Sequence, residues 1–276
     1  MSKAPSLTLN NGVEMPQLGF GVWQVPDDEA TAAVSTALEA GYRSIDTAAI
    51  YGNEEGTGRA LASSGIARDE LFVTTKLWND KQGFDSTLRA FDESLGKLGL
   101  DYVDLYLIHW PVAQQGTFVD SFKAFEKILA EGRAKAIGVS NFLPEHLKTL
   151  LAETSVVPAV NQIELHPQLQ QGASRAFHAE HSIATEAWSP LGQGKGLLEV
   201  PTVVAVARKH GKTPAQAVLR WHLQLGNVVI PKSVTPSRIA ENIDVFDFEL
   251  DADDMAAFAA LDEGKRLGPD PAVFGA

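Results

Sequence analysis

Ser44-Ile45-Asp46-Thr47-Ala48-Ala49-Ile50-Tyr51-Gly52-Asn53-Glu54 is the stretch on which the fold turns. A short apolar run stops at an aspartate, and a tyrosine follows where a strand gives way to a loop and then a helix. Two later runs repeat the pattern: Phe72-Val73-Thr74-Thr75 leads to Lys76, and Val103-Asp104-Leu105-Tyr106-Leu107-Ile108 leads to His109. Functional groups therefore gather at strand C-termini, which in a closed parallel barrel share one face, the face that carries the chemistry of such barrels.

Outward from this stretch, short β-branched runs alternate with segments of helical period. The strands predicted are 19–22, 44–46, 72–76, 103–109, 136–139, 160–164, 184–188 and 228–231. Helices are predicted over 28–40, 53–63, 86–98, 118–131, 144–151, 173–181, 201–210, 214–225, 236–245 and 252–261, many bounded by Gly at the end or Pro, Asp or Ser near the start. Before them, Asn11-Gly12 between Leu7-Thr8-Leu9 and Val13-Glu14-Met15 signals a hairpin turn. The expectation is an α/β protein: a single (β/α)8 barrel domain over residues 1–276, with an N-terminal hairpin (1–16), two extra helices, and an irregular tail (264–276) near the barrel mouth.

Composition excludes several function classes. With 35 acidic against 23 basic residues the net charge is −12, so no basic field is offered to nucleic acid. There is no cysteine, hence no disulfide scaffold, no thiolate nucleophile and no Cys-based zinc site. No run approaches the ~18 apolar residues of a membrane span, and residues 1–10 lack the layout of a signal peptide. A soluble cytoplasmic protein is expected, monomeric, with no metal, no membrane partner and no nucleic-acid partner. His178 and His181 lie three apart on a predicted helix without further ligands, so an exposed helical face is expected of them. Asp251, Asp253 and Asp254 are placed at a helix N-terminus, where the dipole favours carboxylates.

Asp46, Tyr51, Lys76 and His109 suit one reaction. When hydride attacks a carbonyl carbon, negative charge grows on oxygen, which needs a proton donor and a fixed dipole. Tyr51 is the candidate donor, and a neighbouring Lys76 ammonium is expected to lower its hydroxyl pKa. Asp46 would keep Lys76 charged, and His109 would hydrogen-bond the carbonyl oxygen. Taken singly each has a plainer role: Tyr51 in packing, Asp46 as a helix cap, His109 in the core. Lysine is almost never buried without a partner, so Lys76 resists that treatment. A Schiff-base aldolase with Lys76 as nucleophile is an alternative, as is a non-catalytic cofactor-binding barrel.

These residues resemble the aldo-keto reductase family. The resemblance runs through Asp46-Thr47-Ala48 with Tyr51-Gly52-Asn53-Glu54, Thr75-Lys76-Leu77-Trp78, Leu107-Ile108-His109-Trp110-Pro111, Ile137-Gly138-Val139-Ser140-Asn141-Phe142, Asn161-Gln162-Ile163-Glu164-Leu165-His166-Pro167 and Ile230-Pro231-Lys232-Ser233, in order, from the hairpin to about Asp262. Within the family the chain is most similar to the bacterial 2,5-diketo-D-gluconate reductases. The resemblance implies a catalytic tetrad of Asp46, Tyr51, Lys76 and His109 and an NADPH-dependent carbonyl reduction.

No dinucleotide fingerprint is present: Gly19-Phe20-Gly21 and Gly56-Thr57-Gly58 lack the third glycine, and Gly192-Gln193-Gly194-Lys195 fails as a phosphate loop. The resemblance places the cofactor elsewhere on the barrel. Ser140, Asn141 and Gln162 would pair the carboxamide, Trp188 would stack on the nicotinamide ring, and Ser189, Leu191 and Gln193 would approach the pyrophosphate. Lys232, Ser233, Val234, Thr235 and Arg238 follow the eighth strand, and their two cations and hydroxyls favour a 2′-phosphate, hence NADPH over NADH. Glu241 and Asn242 match positions that contact adenine. The substrate pocket would be lined by Trp23, Ile50, Trp78 and Trp110, with Asn79 and Phe274 closing it. Aromatic walls with few charges suit a small aldehyde, ketone or dicarbonyl, and no Arg/Lys clamp for a sugar acid is evident.

Overall fold

The computed structural model describes residues 4–275. Residues 1–3 of the expected hairpin segment and residue 276 of the tail lie outside the described residues. β1 (Ser6–Thr8) and β2 (Glu14–Pro16) pair antiparallel around the Asn-Gly turn. Eight strands follow: β3 (Phe20–Gly21), β4 (Ser44–Asp46), β5 (Phe72–Leu77), β6 (Val103–Ile108), β7 (Ala134–Ser140), β8 (Val160–Glu164), β9 (Ala184–Trp188) and β10 (Val228–Val229). They pair in chain order and in parallel throughout. The sheet closes on itself through a parallel bridge between Leu18 and Val229, where Gly19 N donates to Val229 O and Val229 N to Gln17 O. The eight strands expected are the eight observed, with ends moved by one to two residues.

The helices are α1 (Asp27–Ala40), α2 (Glu54–Ser63), α3 (Phe84–Leu98), α4 (Phe118–Ala130), α5 (Pro144–Glu153), α6 (Gly172–Glu180), α7 (Pro201–Lys209), α8 (Pro214–Gln224), α9 (Pro236–Ile243) and α10 (Ala252–Ala259). Two capping boxes fix starts: Thr213 with Gln216 for α8, and Asp251 with Asp254 for α10, so the acidic cluster does cap a helix. The glycines of Gly56-Thr57-Gly58 have a packing purpose. A Cβ on Gly56 would lie 2.4 Å from Asp27 O and one on Gly58 2.4 Å from Leu98 O, so α2 can sit this close to α1 and the end of α3 only with bare backbone there.

His178 departs from expectation. It is fully buried rather than on an exposed face, with Nε2 against Asn161 Nδ2 at 2.8 Å and Nδ1 against Thr185 Oγ1 at 2.9 Å. Burial lowers its pKa to about 4, so it is neutral polar glue between α6, β8 and β9. His181 stacks on Phe177.

The hairpin covers the N-terminal end of the barrel. Leu9 and Met15 pack with Phe72, Ala136, Val160 and Val228 at or near strand starts, and Asn10 and Asn11 donate to Pro158 O and Lys135 O. The opposite end is left for the loops that follow the strands. No described helix is long and apolar enough to cross a membrane.

Candidate active site

β4 ends at Asp46 and β5 carries Lys76 beside it, because Asp46 pairs in register with Thr74, two residues earlier. Lys76 is 0% exposed, and its Nζ donates to Asp46 Oδ1 at 2.6 Å and to Thr47 O at 2.9 Å. Burial alone would strip its proton, but the Asp46 carboxylate together with Tyr51 and Glu186 outweighs that and raises the pKa, so the group is an ammonium. A charged amine cannot attack a carbonyl, and the Schiff-base reading loses its nucleophile. Asp46 serves Lys76 and does not cap α2.

Tyr51 sits in a single helical turn, 49–51, after β4. Gly52 at φ 66 stops the turn, and Asn53 pins the loop by donating to Val22 O and Val25 O while accepting from Thr47 Oγ1. The half-buried Tyr51 ring lies with its centroid 5.2 Å from Lys76 Nζ. His109, one residue past β6, stands edge-on to Tyr51 at 5.6 Å between ring centroids and to Trp78 at 5.2 Å. Burial, with Lys76 adding, pushes His109 well below its ordinary pKa, so it is neutral, and its buried Nδ1 has no partner among the described residues. Phenol, ammonium, carboxylate and imidazole thus converge on one spot at the strand C-termini.

One expectation is corrected. The Tyr51 pKa is raised, not lowered: burial raises it, Lys76 opposes, and Asp46 and Glu186 add to the increase. Desolvation of the phenolate is the largest cause and sets the sign against Lys76.

Around this cluster, Ser140 ends β7 and donates to Gln162 O, while Asn141 at φ 65 gives Nδ2 to His109 O and Ser140 Oγ. Asn141 Oδ1 accepts from Trp188 Nε1 at 2.8 Å. Trp188 is half-buried at the end of β9 and does not belong to the core. Gln162 on β8 donates through Nε2 to Asp46 Oδ2 and to Glu186 Oε2. In the next loop Ser189 and Gln193 both take positive φ, and Gln193 Nε2 donates to Ser189 Oγ; Leu191 packs against the core. Lys232, Val234, Thr235 and Arg238 are exposed around the start of α9 with Ser233, whose Oγ accepts from Thr235 N. Neither Lys232 nor Arg238 has an ion-pair partner among the described residues. Glu241 accepts from Thr213 Oγ1 and Asn242 is buried.

Trp23 and Ile50 are exposed at the rim, whereas Trp110 is buried. The tail crosses the mouth to Trp110 and Trp78. Leu267 N and Gly268 N donate to the two oxygens of buried Glu164, at 2.6 and 2.9 Å, and Lys195 Nζ donates to Leu267 O. Gly268 lies against the Trp188 ring, where a Cβ would come within 2.5 Å of Cη2. Farther on, Gln114 Nε2 donates to Ala272 O, and Phe274 packs on Trp110 at 4.4 Å and Trp78 at 6.5 Å between centroids. Gly275 reaches Val112 and Asn79. The irregular tail therefore straps the barrel mouth.

Sequence reasoning missed both carboxyl groups that organise this face. In the sequence Glu164 is only one residue of the 161–167 motif, yet it is 0% exposed and is held ionised: burial opposes this, but hydrogen bonds from His166, Leu267 and Gly268 lower its pKa. Glu186 shares strand parity with Trp188, so a charged residue inside Ala184–Trp188 was the available signal. Replacing Glu164 by Ala leaves two backbone N–H groups of the tail without acceptors, at about 1–3 kcal/mol each. The tail is then expected to become a protease cleavage site while the barrel stays resistant. An unchanged digestion pattern would show that the aromatic contacts and the hydrogen bonds from Lys195 and Gln114 hold it without Glu164.

A closed parallel barrel with its polar cluster on the strand C-termini defines a barrel enzyme. The aldo/keto reductase family profile matches residues 16–263. The chain is 60% identical over 271 residues to an aldo-keto reductase of Mycolicibacterium smegmatis, covering 98% of each, and 55% identical over 276 residues to the methylglyoxal reductase DkgA of Salmonella typhimurium, covering 100% of each. Its fold superposes on a crystal structure of a Gox0644 mutant in complex with NADPH with a TM-score of 0.94, at 51% identity and 98% coverage of both chains. The chain belongs to the aldo/keto reductase family and is an oxidoreductase.

Proposed function

We propose that this protein uses NADPH to reduce small aldehydes, ketones and dicarbonyls to alcohols, with keto sugar acids as a further substrate class, through Tyr51, Lys76, Asp46 and His109. The observation that carries the reading is the fully buried Lys76–Asp46 pair beside Tyr51, with neutral His109 across from it and an aromatic wall of Trp78, Trp110 and Phe274 behind. Bound NADPH supplies the hydride. Tyr51, whose raised pKa keeps its proton in the resting state, gives that proton to the carbonyl oxygen as charge grows there, and Lys76 stabilises the phenolate left behind. Neutral His109 orients the oxygen without competing for the proton. Tyr51 then recovers a proton from solvent.

The chain's residues fit the cofactor. Gln162 Oε1 has no partner among the described residues and suits the carboxamide with Ser140 and Asn141; Trp188 offers a half-exposed face, and Ser189, Leu191 and Gln193 border it. Lys232 and Arg238, exposed and unpaired near Ser233, Val234 and Thr235 at the start of α9, suit a 2′-phosphate, with Glu241 and Asn242 one turn on. The NADPH complex of the related structure and the methylglyoxal reductase relative support the same assignment. Trp23, Ile50 and Asn79 complete the substrate side.

Oxidation of NADPH on adding methylglyoxal is the test, and silence across a panel of aldehydes, ketones, dicarbonyls and sugar acids would reject the activity. Arg238→Ala is expected to weaken NADPH binding by about ten- to a hundredfold, one lost charge-assisted hydrogen bond, and to leave NADH binding unaltered. Equal effects on both cofactors would remove Arg238 from a 2′-phosphate site.

A further inference from the structure

Glu186 lies outside the four-residue cluster yet is its nearest unassigned acid. It is 0% exposed on β9, in direct register with Gln162 on β8. Gln162 has one amide nitrogen with two protons, and both are used: Nε2 donates to Glu186 Oε2 at 2.9 Å and, across the barrel interior, to Asp46 Oδ2 at 2.8 Å. Glu186 Oε1 is buried without a hydrogen-bond partner among the described residues.

We propose that Glu186 is a positioning residue: together with Asp46 it clamps the Gln162 amide, so that Oε1, and not Nε2, is the end left to accept from the nicotinamide carboxamide. The inference rests on the NADPH reading above. A side-chain amide is nearly symmetric in shape, so its two ends are told apart only by their hydrogen-bond partners. Flipping Gln162 would set its carbonyl oxygen against the Asp46 carboxylate, which repels it, while Nε2 would lose two acceptors. One acceptor alone would leave the second proton of Nε2 unpaired in a buried place.

The charge balance of the site agrees with this role. The groups that face Glu186 are Asp46, Lys76 and Tyr51, besides Gln162. Burial, with the Asp46 charge adding, raises the Glu186 pKa to about 8 despite Gln162 and Lys76. Burial and the Asp46 charge thus favour the un-ionised form of Glu186. It can still accept from Gln162 in that form, because a protonated carboxyl keeps a carbonyl oxygen.

The experiment compares the full-length native enzyme with Glu186→Gln and Glu186→Leu, measuring the dissociation constants of NADPH and of adenosine 2′,5′-bisphosphate, which lacks the nicotinamide, by tryptophan fluorescence. Leu removes the acceptor, so NADPH should weaken about tenfold while the adenosine bisphosphate binds as before. Gln keeps an acceptor and should restore NADPH affinity to near the native value. If Leu does not fold, Glu186→Met makes the same comparison with an unbranched chain. Unchanged NADPH affinity in the apolar variant, equal weakening of both ligands, or a loss in Gln as large as in Leu would each overturn the clamp. Failure of the native protein to bind NADPH would instead reject the proposed function itself.

Discussion

Tyr51→Phe abolishes measurable carbonyl reduction while NADPH binds with near-native affinity. The substitution removes one oxygen and leaves the ring edge that faces His109 and the ring face near Lys76. A positioned general acid is worth about a hundred- to ten-thousandfold in rate, and no other described group stands ready to replace it: His109 is neutral and holds its proton for a hydrogen bond, and Lys76 is committed to Asp46 and Thr47 O. The measurement pairs steady-state turnover with a binding titration. Turnover within about threefold of native would take Tyr51 out of the chemistry, since that is far below any general-acid contribution.

Asp46→Ala destabilises the fold by about 3–5 kcal/mol, the largest loss expected from any one of the site residues. The reason is Lys76. With 0% exposure its ammonium has no water to turn to, and without Asp46 it must lose its proton or stay charged and unpaired. Gln162 loses an acceptor in the same step. The double variant Asp46→Leu with Lys76→Met removes both charges and is expected to recover most of the stability but none of the activity. Denaturant unfolding of the single and double variants decides the matter: equal losses in both would show that packing, not the unpaired charge, sets the effect.

Much of the molecule was legible in the chain because the signals were local. Strand ends at Asp46, Glu164 and Trp188, the start of α8 at Pro214 and the helix-start carboxylates Asp251 and Asp254 depend on a few neighbours, and the sequence places them where the structure has them. His178 and Tyr51 show where that ends. The helical spacing of His178 and His181 gave no hint that one is buried against β8 and β9 while the other packs on Phe177 of its own helix, and a lysine near Tyr51 suggested a lowered pKa because burial of the phenol, the larger cause, exists only in the fold.

By itself the sequence determined the alternation of strands and helices, the closure that eight such units favour, and the polar side chains that end or follow particular strands, because backbone preference and hydrophobic period act over a few residues. Only the tertiary structure decided that Glu186 reaches Gln162 while Gln162 reaches Asp46, that Glu164 receives the tail 103 and 104 residues on, and that burial outweighs Lys76 at Tyr51. Those outcomes depend on distances across a barrel and on how much water each charge loses, and neither quantity exists until the strands have closed.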